Sequence, residues 1–226
     1  FAAAGALELR SSKAEEIKGE EQFRLQERQA ERIEEILSGL TLEEKVGQLF
    51  CQIAYTSNLP YLETLVHRYH VGGVMGRRMP EEEAWRTFTY LRQESRVPLL
   101  LSANFEAGSD GLLTEGTNVG NNLQVAATGD AAFAKAQAYV AAREGGAYGA
   151  NWSFAPIVDI DRNFRNPITG TRVYGSDVEM VRSWGKIYIE TMRKPSKING
   201  FGNLTTDQQI YFKGGKRKMS KGKVKR

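Results

Sequence analysis

NWSFAPIVDIDRNFRNPITGTRVYGSD, residues 151–177, decides how the rest of the chain is read. Its first part, Trp152 to Ile160, is an apolar run with one Pro and one Ser, bounded by turn residues. Such a run predicts a strand buried on both faces, as in a parallel sheet. Asp159 and Asp161 stand at its C-terminal end. A polar stretch rich in Arg, Asn and Gly follows, then Arg172-Val173-Tyr174-Gly175 ahead of a helix start at Ser176. Carboxylates and an arginine just past the C-terminal end of a parallel strand lie where α/β enzymes keep their chemistry.

Working outward, strands and helices alternate. Val46–Ala54 reads as a strand with a helical start, Pro60–Tyr69 as a helix, and Val71–Met75 as a short apolar run. Glu81–Glu94 is helical, with Trp85, Phe88 and Leu91 on one face; Pro98–Ala103 is a buried strand. Residues 104–128 form a Gly/Asn/Thr-rich stretch, long for a plain connection and so a candidate binding loop. Ala131–Gly149 is a small-residue helix and Val178–Arg193 the next helix. This alternation implies βαβ units around a parallel sheet, about four βα units in all. Upstream, residues 8–39 carry a sparse apolar stripe (Leu25, Ile33, Ile36, Leu37), which predicts an amphipathic helix frayed at its start. Thr41-Leu42-Glu43-Glu44 then signals a short capped helix.

The chain has 226 residues, 41% hydrophobic and 26% charged, which suits one globular domain with a sizeable core. The net charge of +4 is unevenly spread. Residues 194–226 hold ten Lys/Arg against Asp207 alone, a net of +9, while the other 193 residues carry 21 basic and 26 acidic side chains, a net of −5. From Pro195 onward apolar periodicity stops, and a disordered basic tail is expected. The single cysteine, Cys51, forbids an internal disulfide and reads as a buried, inert thiol. With only His67 and His70 besides, both read as surface or capping residues, no metal site is expected. Trp85 and Trp184 read as core. No apolar run is long enough for a membrane span and no signal-peptide pattern is present, so the default expectations are no membrane partner and a cytoplasmic location.

Four segments carry a resemblance: LTLEEKVGQLF (40–50), GGV (72–74), LLLSANFEAG (99–108) and FAPIVDIDRNFRNPITGTRVYG (154–175). In this order and spacing they resemble the N-terminal domain of family 3 glycoside hydrolases, most closely its bacterial β-N-acetylhexosaminidase branch. The resemblance covers residues 38–193. It implies a partial (β/α)8 barrel, preceded by a helical segment (1–37) and followed by the basic tail (194–226). It also implies a retaining exo-glycosidase acting without a cofactor on a carbohydrate, a terminal β-linked N-acetylhexosamine. A β-glucosidase-type variant is the alternative within the family. Ala103-Asn104-Phe105-Glu106-Ala107-Gly108 matches the family's Asp-x-Glu-Gly-Gly loop, with Asn104 where the family has a sugar-binding Asp. An amide still hydrogen-bonds but makes no charge-assisted bond of its own. Arg172 matches the family's substrate-binding Arg, whose planar fork suits sugar oxygens. The implied substrate-binding set is thus Asn104, Glu106, Asp159 and Arg172.

The family's Lys-His motif, acid/base group and Asp nucleophile have no counterpart, so the expected catalytic set is empty and the chain alone is expected to be inactive. The tail reads as out-of-frame or fused sequence, and the four-strand unit is expected to have poor stability by itself. The residues alone leave each role open. Asp159 and Asp161 fit a catalytic pair, site lining or strand-end solvation. Glu106 fits an acid catalyst or a loop-fixing acceptor, and Arg172 a sugar ligand or a loop salt bridge. From another class, the +9 tail suits salt-sensitive polyanion binding, with no specific nucleic-acid readout. Lys218-Met219-Ser220-Lys221 looks like the KMSK element of class I aminoacyl-tRNA synthetases but lacks its His-x-Gly-His partner.

Overall fold

The computed structural model describes residues 27–193. The expected tail at 194–226 and the first residues of the predicted N-terminal helix lie outside them. The chain divides at Thr41. In the first unit, α1 (Glu27–Ser38) is the amphipathic helix that the stripe at Ile33, Ile36 and Leu37 predicts.

The second unit begins with α2 (Leu42–Gly47) and continues β1 (Cys51–Ala54), α3 (Leu59–Glu63), β2 (Gly73–Gly76), α4 (Glu81–Glu94), β3 (Leu100–Ala103), α5 (Asn122–Ala127), α6 (Ala132–Val140), β4 (Trp152–Ser153) and α7 (Val178–Arg193). α3 and α6 run on into π-helical turns, Thr64–Arg68 and Ala141–Gly145. The four strands form one parallel sheet in the order β1-β2-β3-β4. This is the α/β architecture that the alternation implies.

Successive side chains on a strand face opposite ways. Ala54, Val74, Leu101 and Ala103 are buried against the helices with Leu62, Leu65, Phe88, Leu91, Leu112 and Tyr188. On the other face, the register sets Cys51 beside Gly73 and Leu100, and Ile53 beside Met75, Ser102 and Trp152. This face is open: Ile53 is 42% and Leu100 43% exposed. Cys51 therefore differs from expectation. It is exposed because it projects from the uncovered face. Partial burial still pushes its thiol above the ordinary value, offset in part by Ser102.

Other differences have equally local causes. Val46 to Phe50 is helix and turn, so β1 starts only at Cys51. Trp85 is 47% exposed, not core. Positions 85, 88 and 91 drift around the helix by about 60° per step, so Trp85 falls off the face that Ala84, Thr87, Phe88 and Leu91 bury. Trp85 instead packs edge-on against Tyr148, with ring centroids 6.3 Å apart. Trp184 is buried, as expected. The expected strand Trp152–Ile160 is reduced to two residues. Phe154 makes the last bond to β3, through Ala103 O, and the Ala155–Pro156 peptide that follows is cis. Pro156 has no N–H to continue a ladder, and Val158 is half exposed rather than buried. α5 was not expected within 104–128. Its start is a capping box in which Asn121 and Gln124 bond each other's backbone N–H.

Short β4 is held by a side chain. Asn151 accepts from Leu101 N at 2.8 Å and donates to Leu99 O at 3.0 Å, imitating one more ladder residue. α7 closes over the loop after β3: Tyr188, fully buried, donates its hydroxyl to Phe105 O at 2.6 Å. No helix among the described residues is long and apolar enough to cross a membrane.

Replacing Tyr188 with Phe removes this hydrogen bond, so the unit should lose about 0.5–1.5 kcal/mol. Urea unfolding of both proteins measures it. An unchanged midpoint would mean that the carbonyl finds another partner.

Candidate functional site

All four strands are parallel, so their C-terminal ends open on one side of the sheet. The segments that follow β3 and β4 at this side carry the four implied binding residues.

The segment after β3 folds back on itself. Gly108, at φ +138°, and Asn118 form an antiparallel bridge, flanked by Ser109 N to Thr117 O at 3.0 Å and Val119 N to Ala107 O at 2.7 Å. It is anchored from below by two polar side chains. Gln137 of α6, fully buried, donates its amide to Glu106 O and Gly120 O. Glu144 accepts from Ser109 Oγ, from Thr117 N at 3.0 Å and from Thr117 Oγ1 at 2.7 Å. The tip docks on the residues after β2, with Met79 N to Leu112 O and Thr114 N to Met79 O, each 3.0 Å.

The segment after β4 leaves at Asp161 and returns at Arg172. Asp161 N donates to Gly175 O at 2.9 Å, closing the neck. Between them Asn163 N bonds Asp161 Oδ1, Arg165 N bonds Asn163 Oδ1 and Ile168 N bonds Asn166 Oδ1. These side-chain turns give the Arg/Asn/Gly stretch its path and leave Phe164 82% exposed. The excursion ends in a 3₁₀ turn, Gly170–Arg172.

The two segments meet at one ion pair. Arg172 donates Nε to Glu106 Oε2 at 2.8 Å and Nη2 to Glu106 Oε1 at 2.6 Å. The Glu106 side chain is 16% exposed and that of Arg172 41%, so Arg172 is the more accessible partner. The Glu106 hydrogen bond raises the Arg172 pKa; burial opposes it, and the charges of Glu106 and Asp159 add to the rise. Asp159 is exposed and close enough to Arg172 to act on it electrostatically. Asn104, half buried, is the first residue after β3. Of the predicted residues, then, Glu106 and Arg172 are joined directly and Asp159 lies within their field, whereas the Asp161 carboxylate is engaged in its own turn.

Sequence reasoning missed Asn122, Gln137 and Glu144. Gln137 had a signal, since it shares a face with Ala134, Ala138 and Ala141, all buried, and a polar residue there requires a partner. Asn122, fully buried, donates Nδ2 to Arg172 O at 2.7 Å. No group of three or more His, Cys, Asp or Glu among the described residues is arranged to hold a metal ion.

Comparison with known proteins places the fold. Residues 41–206 match the family described as the glycosyl hydrolase family 3 N-terminal domain. A Cellulomonas fimi protein named β-N-acetylglucosaminidase/β-glucosidase is 48% identical over 151 residues, which are 67% of this chain and 27% of that protein. Among solved structures, a β-glucoside phosphorylase BglX bound to 2FGlc superposes with a TM-score of 0.69 at 35% identity, covering 74% of this chain and 30% of that one. A family 3 β-N-acetylglucosaminidase from Paenibacillus sp. str. FPU-7 gives 0.58 at 30% identity, covering 68% and 31%. The chain spans about a quarter of the length of the curated relatives it matches.

Burial pushes the Glu144 carboxyl up, but the bonds from Ser109 and Thr117 outweigh it and hold it below its ordinary value of 4.5. A carboxyl depressed in the folded state stabilises above its unfolded pKa and loses that contribution as pH falls through the folded pKa. Amide protection factors across residues 107–119 should therefore fall as pH drops below 4.5. In Glu144→Gln this loss of protection should be absent. Equal acid sensitivity in both proteins would assign it to another carboxyl.

Proposed function

Since this chain belongs to the glycosyl hydrolase family 3 N-terminal domain family, we propose that it forms the sugar-binding half of an exo-glycosidase barrel. The substrate we assign is a terminal β-linked N-acetylhexosamine, with Arg172 as the side chain that touches the sugar. One observation carries the reading: a partly exposed arginine whose guanidinium fork is held by Glu106 in the segments beyond the C-terminal ends of a parallel sheet. A planar cation fixed in this way offers directed donors to neutral hydroxyl or amide oxygens. Glu106 is assigned to orienting Arg172 rather than to touching the sugar, because both its oxygens already accept from the guanidinium. Asp159 and Asn104 complete the set as the accessible acceptor beside Arg172 and the amide at the end of β3.

Retaining glycoside hydrolysis needs a nucleophilic carboxylate and an acid/base carboxyl about 5 Å apart. Glu106 is committed to Arg172, and Asp161 to the turn at Asn163. We therefore assign neither role to Glu106 or Asp161. The name of the Cellulomonas fimi relative joins N-acetylglucosamine and glucose, so a β-glucoside is the competing substrate.

Titration of the full chain with methyl β-N-acetylglucosaminide and with methyl β-glucoside tests the reading. The first should bind more tightly, and Arg172→Ala should weaken it by about tenfold or more. Binding of neither sugar, or equal binding by the variant, would sink it. No nitrophenol should be released from the nitrophenyl β-N-acetylglucosaminide. Turnover that vanishes in Arg172→Ala would show that the chain holds its own catalytic carboxyls.

A further inference from the structure

Asn122 is the first residue of α5 and is fully buried. Its Nδ2 donates to the carbonyl of Arg172 at 2.7 Å, across 50 residues of sequence. Its Oδ1 is buried with no hydrogen-bond partner among the described residues. A buried amide with an orphaned acceptor is less favourable than an apolar side chain of the same shape. Helix capping does not account for it, because Asn121 and Gln124 already form the capping box of α5. Val125 and Ala126 of the same helix pack with Tyr174 and Trp184 in an apolar cluster.

What the amide does is fix one carbonyl. Arg172 closes a 3₁₀ turn through its own N–H to Thr169 O at 2.7 Å, and Asn122 holds the carbonyl on the other side of the same residue. The root of the side chain is thereby set, while Glu106 sets the fork at its far end. Both clamps come from the one segment after β3, at either end of its excursion from Glu106 to Asn122.

We infer that Asn122 is a positioning residue for Arg172: it holds the backbone from which the guanidinium reaches, so that the fork meets the sugar in one place. The inference rests on the reading of Arg172 as the sugar-binding side chain. The positioning itself can be measured without a sugar.

In the full chain, the exchange of Arg172 Nε–H with solvent is read by nitrogen-15 NMR in the wild type and in Asn122→Leu, which keeps the branched outline of the side chain and removes the donor. The variant should exchange about tenfold faster, while still folding and melting cooperatively. Its affinity for methyl β-N-acetylglucosaminide should fall about tenfold, and by no more when combined with Arg172→Ala than for Arg172→Ala alone. Unchanged Arg172 exchange in folded Asn122→Leu overturns the inference, as does an affinity loss that adds fully to that of Arg172→Ala. Asn122→Ala is read by the same criteria if the leucine does not fold. Failure of the wild type to bind sugar sinks the functional reading instead, and the exchange rates still decide what Asn122 holds.

Discussion

The Glu106–Arg172 pair is the interaction on which the rest of this molecule turns. It joins two segments that leave neighbouring strands, and it does so through two parallel bonds of 2.8 and 2.6 Å. An ion pair with one largely exposed partner adds little to stability, typically about 0–1 kcal/mol. Its value is directional, since a bidentate fork has one geometry where a single bond has many. The surrounding polar contacts serve that geometry. Gln137 grips the Glu106 backbone, Glu144 stiffens the loop behind it, and Asn122 holds the Arg172 carbonyl. The apolar core beneath is built by α3, α4, α6 and α7 against one face of the sheet, and Tyr188 ties that core to Phe105, the residue beside Glu106.

Much of the fold was legible because it rests on periodicity. The helix predicted at Glu81–Glu94 occupies those residues, and α7 runs from Val178 to Arg193 as predicted. Apolar runs marked three strands, each within a few residues. What was illegible depended on partners. The run Trp152–Ile160 has strand composition, but β3 ends at Ala103 and offers Phe154 the last carbonyl. Cys51 looked buried because its neighbours are apolar, yet only one face of the sheet is covered by helices. The side chain on the other face meets the gap over Gly73, where an added Cβ would lie 3.3 Å from the Cys51 sulfur.

The site divides in the same way. Arg172 and Glu106 stood out as charged residues past strand ends, and the structure makes them one another's partners. That Arg172 also faces a sugar is our proposal. No spacing rule could pair residues 66 apart in sequence, because their meeting depends on the paths of two irregular segments. Asn122 gave no signal at all. A single Asn in a Gly/Asn/Thr-rich stretch looks like any turn residue until its burial is known. Gln137 could have been found, because an amide among alanines at helical spacing has to satisfy its donors somewhere.

Asn151 has a consequence for the order of the sheet. β4 contributes only two residues, too few for its own ladder to choose between adjacent alignments. The carboxamide makes that choice, because it reaches the backbone on both sides of Leu100 and can do so at one alignment only. A slip by one position would turn Trp152 away from the face it shares with Met75 and Ile53 and drive it among the helices. One amide thus acts as the key of a lock: it carries little of the load, yet it decides which way the last strand, and the arginine-bearing segment beyond it, is turned.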